Sequence, residues 1–162
     1  MRFGKQTFVA LLVLLFMFSF PFDVLAEEVS DPAEQPVPKN GTVNYYSEEK
    51  KIAPLEIRTE EGNYYLLKLV NVEGDKTVLD VFIHGGKTVN IEVPLGTYEI
   101  RYASGEKWYG YEYLFGDNTM YTKAEGLFEF MVENNQVYGY ILTLYSVTNG
   151  NLATNPIAPE DF

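Results

Sequence analysis

One segment gathers side chains able to make specific contacts. Lys107-Trp108-Tyr109-Gly110-Tyr111-Glu112-Tyr113 holds the only tryptophan of the chain beside three tyrosines. Each of these rings couples a broad apolar face to one polar atom, which suits stacking on a sugar, lining a peptide groove or anchoring a protein interface. Trp108, Tyr109, Tyr111 and Tyr113 are therefore the candidate binding residues. The same rings could equally close one end of a small β domain as core, and thirteen tyrosines in the chain speak for a general habit of aromatic packing. Gly105 and Gly110 bracket Trp108, and each is expected to hold a backbone shape that other residues reach only at a cost.

Residues for catalysis are sparse. His84 is the only histidine, beside Gly85-Gly86. Nucleophilic catalysis would need a nucleophile and an orienting carboxylate around it. No recognisable nucleophile motif supplies them, so His84 reads as a surface residue at a turn. Acidic pairs stand at Glu27-Glu28, Glu48-Glu49 and Glu60-Glu61. Neighbours on a strand point to opposite faces, so adjacency builds no carboxylate dyad. A glycan hydrolase would need two carboxylates about 5–10 Å apart across a cleft, which spacing alone does not supply. Gly116-Asp117-Asn118-Thr119 reads as a turn with Asx chemistry rather than a calcium loop. Gly85-Gly86-Lys87 lacks the remaining pattern of a phosphate loop. The chain has no cysteine, which removes disulfides and thiolate metal sites together. No metal site, cofactor or catalytic residue is expected.

The elements that must position the aromatic segment are strands. Leu55 and Ile57 alternate with Glu56 and Arg58. Tyr64–Val72 is apolar on nearly both faces, as a central strand covered on both sides would be. Leu79, Val81 and Ile83 share one face, as do Val89, Ile91 and Val93, then Tyr98, Ile100 and Tyr102, then Phe128, Phe130 and Val132. Val137–Val147 reads as one long strand. Glu61-Gly62-Asn63, Glu73–Lys76 and Glu133–Gln136 are turns; Gly85-Gly86 and Pro94-Leu95-Gly96 read as tight hairpins. Strands recurring about every ten residues with turns between them predict an all-β fold, a single antiparallel β-sandwich of seven or eight strands over residues 45–162. Leu152, Ile157 and Phe162 could dock back on the sheet or belong to a frayed tail.

The start of the chain reads as an address. Arg2 and Lys5 precede an apolar run over Phe8–Phe20, and Val24-Leu25-Ala26 is a small-residue cleavage pattern, so residues 1–26 are expected to be a signal peptide. The alternative is an uncleaved membrane anchor, against which stand Pro21, Asp23 and a run short of the roughly 20 residues of a membrane span. Residues 27–44, with Pro32, Pro36 and Pro38, read as a flexible acidic linker that buries too little to offset its ordering entropy. Asn40-Gly41-Thr42 fits a glycosylation acceptor. The net charge of −11 disfavours nucleic acid and anionic membrane surfaces. Membrane association is expected only if the first segment stays uncleaved.

Taken in order, NYYLLKLV (63–70), VFIHGG (81–86), VPLGTYEIRYASG (93–105), KWYG (107–110), LFG (114–116), GNLAT (150–154) and Asp161-Phe162 resemble an uncharacterised bacterial exported domain over roughly residues 52–162. That resemblance implies an exported or membrane-tethered domain and brings no catalytic residues. Lys87–Tyr102 also resembles the hairpin of transthyretin-like and PEGA-like sandwiches. The function expected is a non-enzymatic binding or interaction module of the cell envelope, meeting a protein or glycan partner through the aromatic loop. Its alternatives are a structural, self-assembling or partner-docking domain and a carboxylate-based glycan hydrolase.

Overall fold

The structure is a computed structural model and describes residues 32–145 and 152–162. The expected signal segment, residues 27–31 of the expected linker and the end of the expected strand at Ser146-Val147 lie outside the described residues. Among the described residues no helix is long and apolar enough to cross a membrane.

The fold is all-β and consistent with a sandwich. Among the described residues eight strands have four or more residues: β1 Thr42–Tyr45, β2 Lys51–Arg58, β3 Tyr64–Asn71, β4 Lys76–His84, β5 Thr88–Pro94, β6 Gly96–Gly105, β7 Met120–Ala124 and β11 Tyr140–Thr143. Four more are short: β8 Phe128–Phe130, β9 Val132–Glu133, β10 Gln136–Val137 and β12 Thr154–Pro156. The large sheet runs β1-β4-β3-β6-β7-β12, with β8 also on β6; the small sheet runs β11-β2-β5. Among the described residues pairing is antiparallel except between β11 and β2, which run parallel. The expected strand Val137–Val147 is broken at Tyr138-Gly139. Its first residues close a small hairpin on β9, and its second half joins β2.

Alternation placed the inward faces correctly. Leu55, Ile57, Leu79, Val81, Ile83, Val89, Val93, Tyr98, Ile100, Tyr102, Phe128 and Phe130 all lie in the core between the sheets. Val132 departs from this, standing exposed on the β9–β10 hairpin. Two expected hairpins are crossovers instead. β4 and β6 belong to the large sheet and β5 to the small one, so Gly85-Gly86 and Pro94-Leu95-Gly96 carry the chain from one sheet to the other. Turn residues state that the chain reverses, not which neighbour it meets next. Gly85 owes its identity to that crossing, since a Cβ there would stand 2.3 Å from the carbonyl oxygen of Asn63. The Tyr98 hydroxyl donates to the carbonyl of Leu95 at 3.0 Å and so pins the second crossover from within the core.

The outer face of the large sheet decides where the aromatic segment sits. Cross-strand register builds two parallel rows on it. One row is Tyr121, Ala103, Leu66 and Phe82; the next is Lys123, Arg101, Lys68, Asp80 and Asn44. The first row is apolar and needs a cover.

The expected linker is part of that cover from its proline-rich stretch onward. The Gln35 amide donates to the Trp108 carbonyl at 2.8 Å, the Gly41 amide donates to the Phe82 carbonyl at 2.8 Å, and Val37 packs on the aromatic cluster. Thr42–Tyr45 is an edge strand on β4. Three prolines reduce the entropy that such a segment loses on docking, and its backbone bonds supply what its few apolar side chains do not. Asn40, expected as a glycosylation acceptor, accepts the His84 amide through Oδ1 at 2.9 Å.

Candidate functional site

The chain leaves β6 at Gly105 and returns at Met120, and residues 106–119 fold back over the apolar row. A Cβ on Gly105 would meet the Cβ of Phe115 at 2.4 Å. Gly105 therefore serves close approach and not a special backbone angle, which corrects the expectation for it. Gly110 does hold the expected unusual backbone, with φ of 95°. The loop closes on itself: the Tyr109 amide donates to the Leu114 carbonyl and the Leu114 amide to the Gly110 carbonyl, each at 2.7 Å. Leu114 sits at φ 50°, a strained value for a branched side chain, and is held there by burial. The turn at Gly116–Asn118 uses no Asx bond. Thr119 closes it instead, its hydroxyl donating to the Gly116 carbonyl at 2.6 Å and accepting the Phe115 amide at 3.1 Å.

The four candidate residues part company here. Trp108 is 2 % exposed. Its ring meets Phe82 edge-on at 4.9 Å between centroids, Phe115 at 5.4 Å and Tyr111 edge-on at 5.1 Å. Trp108 is core and not contact surface, because the apolar row beneath it would otherwise face water. Tyr111 and Tyr113 are 48 % and 50 % exposed. Tyr109 is half-buried, its ring beside Gly116, where a Cβ would come within 3.0 Å of it. Tyr109 borders two cavities, one of about 350 Å³ shared with Asn63, Glu106, Lys107 and Asn118, the other of about 180 Å³ shared with Pro32 and Asp117.

His84 is a clamp rather than a free surface residue. Its Nε2 stands 2.7 Å from the Pro38 carbonyl oxygen, and its ring packs edge-on against Tyr64 and Phe82. Among the described residues no group of three or more His, Asp and Glu side chains is placed to hold a metal ion. The chain matches no family model, no curated protein and no solved structure.

Tyr46 adds an exposed ring that the sequence did not single out. Its hydroxyl donates to Asp80 Oδ2 at 2.5 Å. That bond, with lesser contributions from burial and from the Asp80 charge, pushes the phenol up to about 12 from its ordinary 10. A proton held more tightly in the folded state adds stability below the unfolded pKa. That stability is lost as pH rises from about 10 to about 12. The absorbance difference at the phenolate band between the protein and its Tyr46→Phe variant should therefore titrate near the upper value. Titration near 10 would show that the bond to Asp80 does not persist in solution.

Proposed function

We propose that this protein is an exported, non-enzymatic binding module of the cell envelope that meets a glycan or protein partner through Tyr109, Tyr111 and Tyr113. Export rests on the reading of residues 1–26, and the domain kind on the resemblance to exported bacterial domains. The observation that carries the contact surface is the burial of Trp108 against Tyr111. A core tryptophan with one exposed tyrosine stacked edge-on upon it makes a rigid platform. Rings already held in place lose little conformational freedom when a ligand lands on them. Polar groups of Asn63, Glu106, Lys107 and Asn118 border Tyr109 and could orient a hydroxylated or peptide ligand.

Trp108 supplies the test, because its emission should respond to a ligand on Tyr111. Cellohexaose, chitohexaose and soluble peptidoglycan fragments are titrated while that emission is followed, and envelope extracts are passed over the immobilised protein. The Tyr111→Ala/Tyr113→Ala variant should fold with an unchanged circular dichroism spectrum and lose about tenfold or more in affinity for whichever probe binds. Equal binding by the folded double variant overturns the proposed surface.

A further inference from the structure

The polar row on the large sheet contains an arrangement that strand stability disfavours. Lys68 stands directly opposite Arg101, and Arg101 directly opposite Lys123, so three cations lie side by side across β3, β6 and β7. Like charges in such register destabilise a sheet, and the chain has only twelve basic residues. Part of the charge is answered within the sheet. Glu99 accepts from Arg101 at 2.8 Å and from Lys123 at 3.1 Å, and Asp75 accepts from Arg101 at 2.6 Å.

Asp80 stands directly opposite Lys68 in the same row. Residues 159–162 are laid across the row as a ligand would be. Arg101 Nη1 donates to the main-chain oxygen of Asp161 at 2.9 Å, and Lys68 Nζ to that of Phe162 at 3.0 Å. The Phe162 ring lies 3.9 Å from Lys68 Nζ as a cation–π partner and packs on Tyr121 at 5.4 Å between centroids. The segment has little regular structure of its own, one turn over Pro159–Asp161. β12 pairs with β7 and the Ile157 amide donates to the Tyr121 carbonyl at 3.0 Å, which brings the segment to the row; there two cations meet its main-chain oxygens and a ring socket takes its aromatic side chain.

We infer that this row is a peptide-recognition site for a protein segment that offers main-chain oxygens to Lys68 and Arg101 and an aromatic ring to the socket beside them, filled in this structure by the chain's own Asp161-Phe162. The socket between Lys68 and Tyr121 selects the aromatic ring. The tethered segment acts as a cap, present at an effective concentration of about a millimolar, so a segment from a partner protein must displace it. This inference rests on no part of the aromatic-loop reading.

The probe is a fluorescein-labelled peptide of residues 157–162, Ile-Ala-Pro-Glu-Asp-Phe, followed by anisotropy with the full chain. The Phe162→Ala chain, with its ring socket vacated, should bind the peptide at least about tenfold more tightly than the unaltered chain. A second chain, Asp161→Ala/Phe162→Ala, should do the same, and both should keep the parent circular dichroism spectrum. Adding Lys68→Ala and Arg101→Ala should abolish the binding, and a peptide with alanine for phenylalanine should not bind. If neither vacated chain, shown to be folded, binds the peptide, the contact is only an internal staple and the proposal fails. Binding that survives Lys68→Ala/Arg101→Ala overturns it equally.

Discussion

Trp108→Ala should lower the free energy of unfolding by about 3–5 kcal/mol. The ring is 2 % exposed and touches Phe82, Phe115 and Tyr111, so its removal leaves a cavity that three neighbouring aromatic rings cannot close by small shifts. Such a loss is a large part of the roughly 5–15 kcal/mol that holds a domain of this size folded. The consequence goes beyond packing. The Trp108 carbonyl accepts the Gln35 amide, so a collapsed loop also loosens the segment that follows Pro32. Urea unfolding followed by far-ultraviolet circular dichroism measures the loss. Trp108→Phe should recover part of it by refilling the site with a smaller ring. A Trp108→Ala midpoint within about 0.5 kcal/mol of the parent would be the value of a surface substitution, and would show that the tryptophan does not sit in the core.

Asp80→Ala should cost about 2–4 kcal/mol. The residue is 3 % exposed on the outer face of β4. Its Oδ1 accepts Asn44 Nδ2 at 2.8 Å, its Oδ2 accepts the Tyr46 hydroxyl, and it stands opposite half-buried Lys68. Removing the carboxylate orphans two donors and leaves the Lys68 charge without its nearest cross-strand counterpart. Burial already holds the Lys68 ammonium below its ordinary pKa, with Asp80 opposing that shift, so the variant should lower it further. Asp80→Asn, which keeps the shape and one acceptor, should lose less. Denaturant midpoints rank the three proteins. The Tyr46 titration gives an independent check, because the phenol should return toward its ordinary value in Asp80→Ala. An Asp80→Ala protein as stable as the parent would show that the carboxylate's own desolvation offsets all that it holds.

Which side of each strand faces inward was legible in the chain because a strand's side chains alternate with a period of two. Leu79, Val81 and Ile83, or Tyr98, Ile100 and Tyr102, announce a buried face whatever lies across from them. Tyr64–Val72 even announced its covered second face, since Leu66 is apolar where a solvated sheet would place a polar residue, although Val72 itself stands exposed past the end of β3. What alternation does not carry is partnership. The same glycine and proline signals mark the β3–β4 hairpin and the two crossovers on either side of β5, because each states only a reversal of direction. His84 and Gln35 gained their roles from segments far along the chain, and a single polar residue gives no sign of so distant a partner.

The sequence by itself determined that this is an all-β chain without cysteine chemistry, which residues of its long strands face inward, and that one aromatic loop interrupts the pattern. The tertiary structure alone decided the fate of that loop. Tryptophan and tyrosine have the same chemistry in a core and on a surface, so composition could not separate Trp108 from Tyr111 and Tyr113. The separation came from the apolar row Leu66–Phe82–Ala103, assembled from three strands whose register no local pattern records. That row had to be covered, Trp108 covers it, and the two exposed tyrosines are what remains outside.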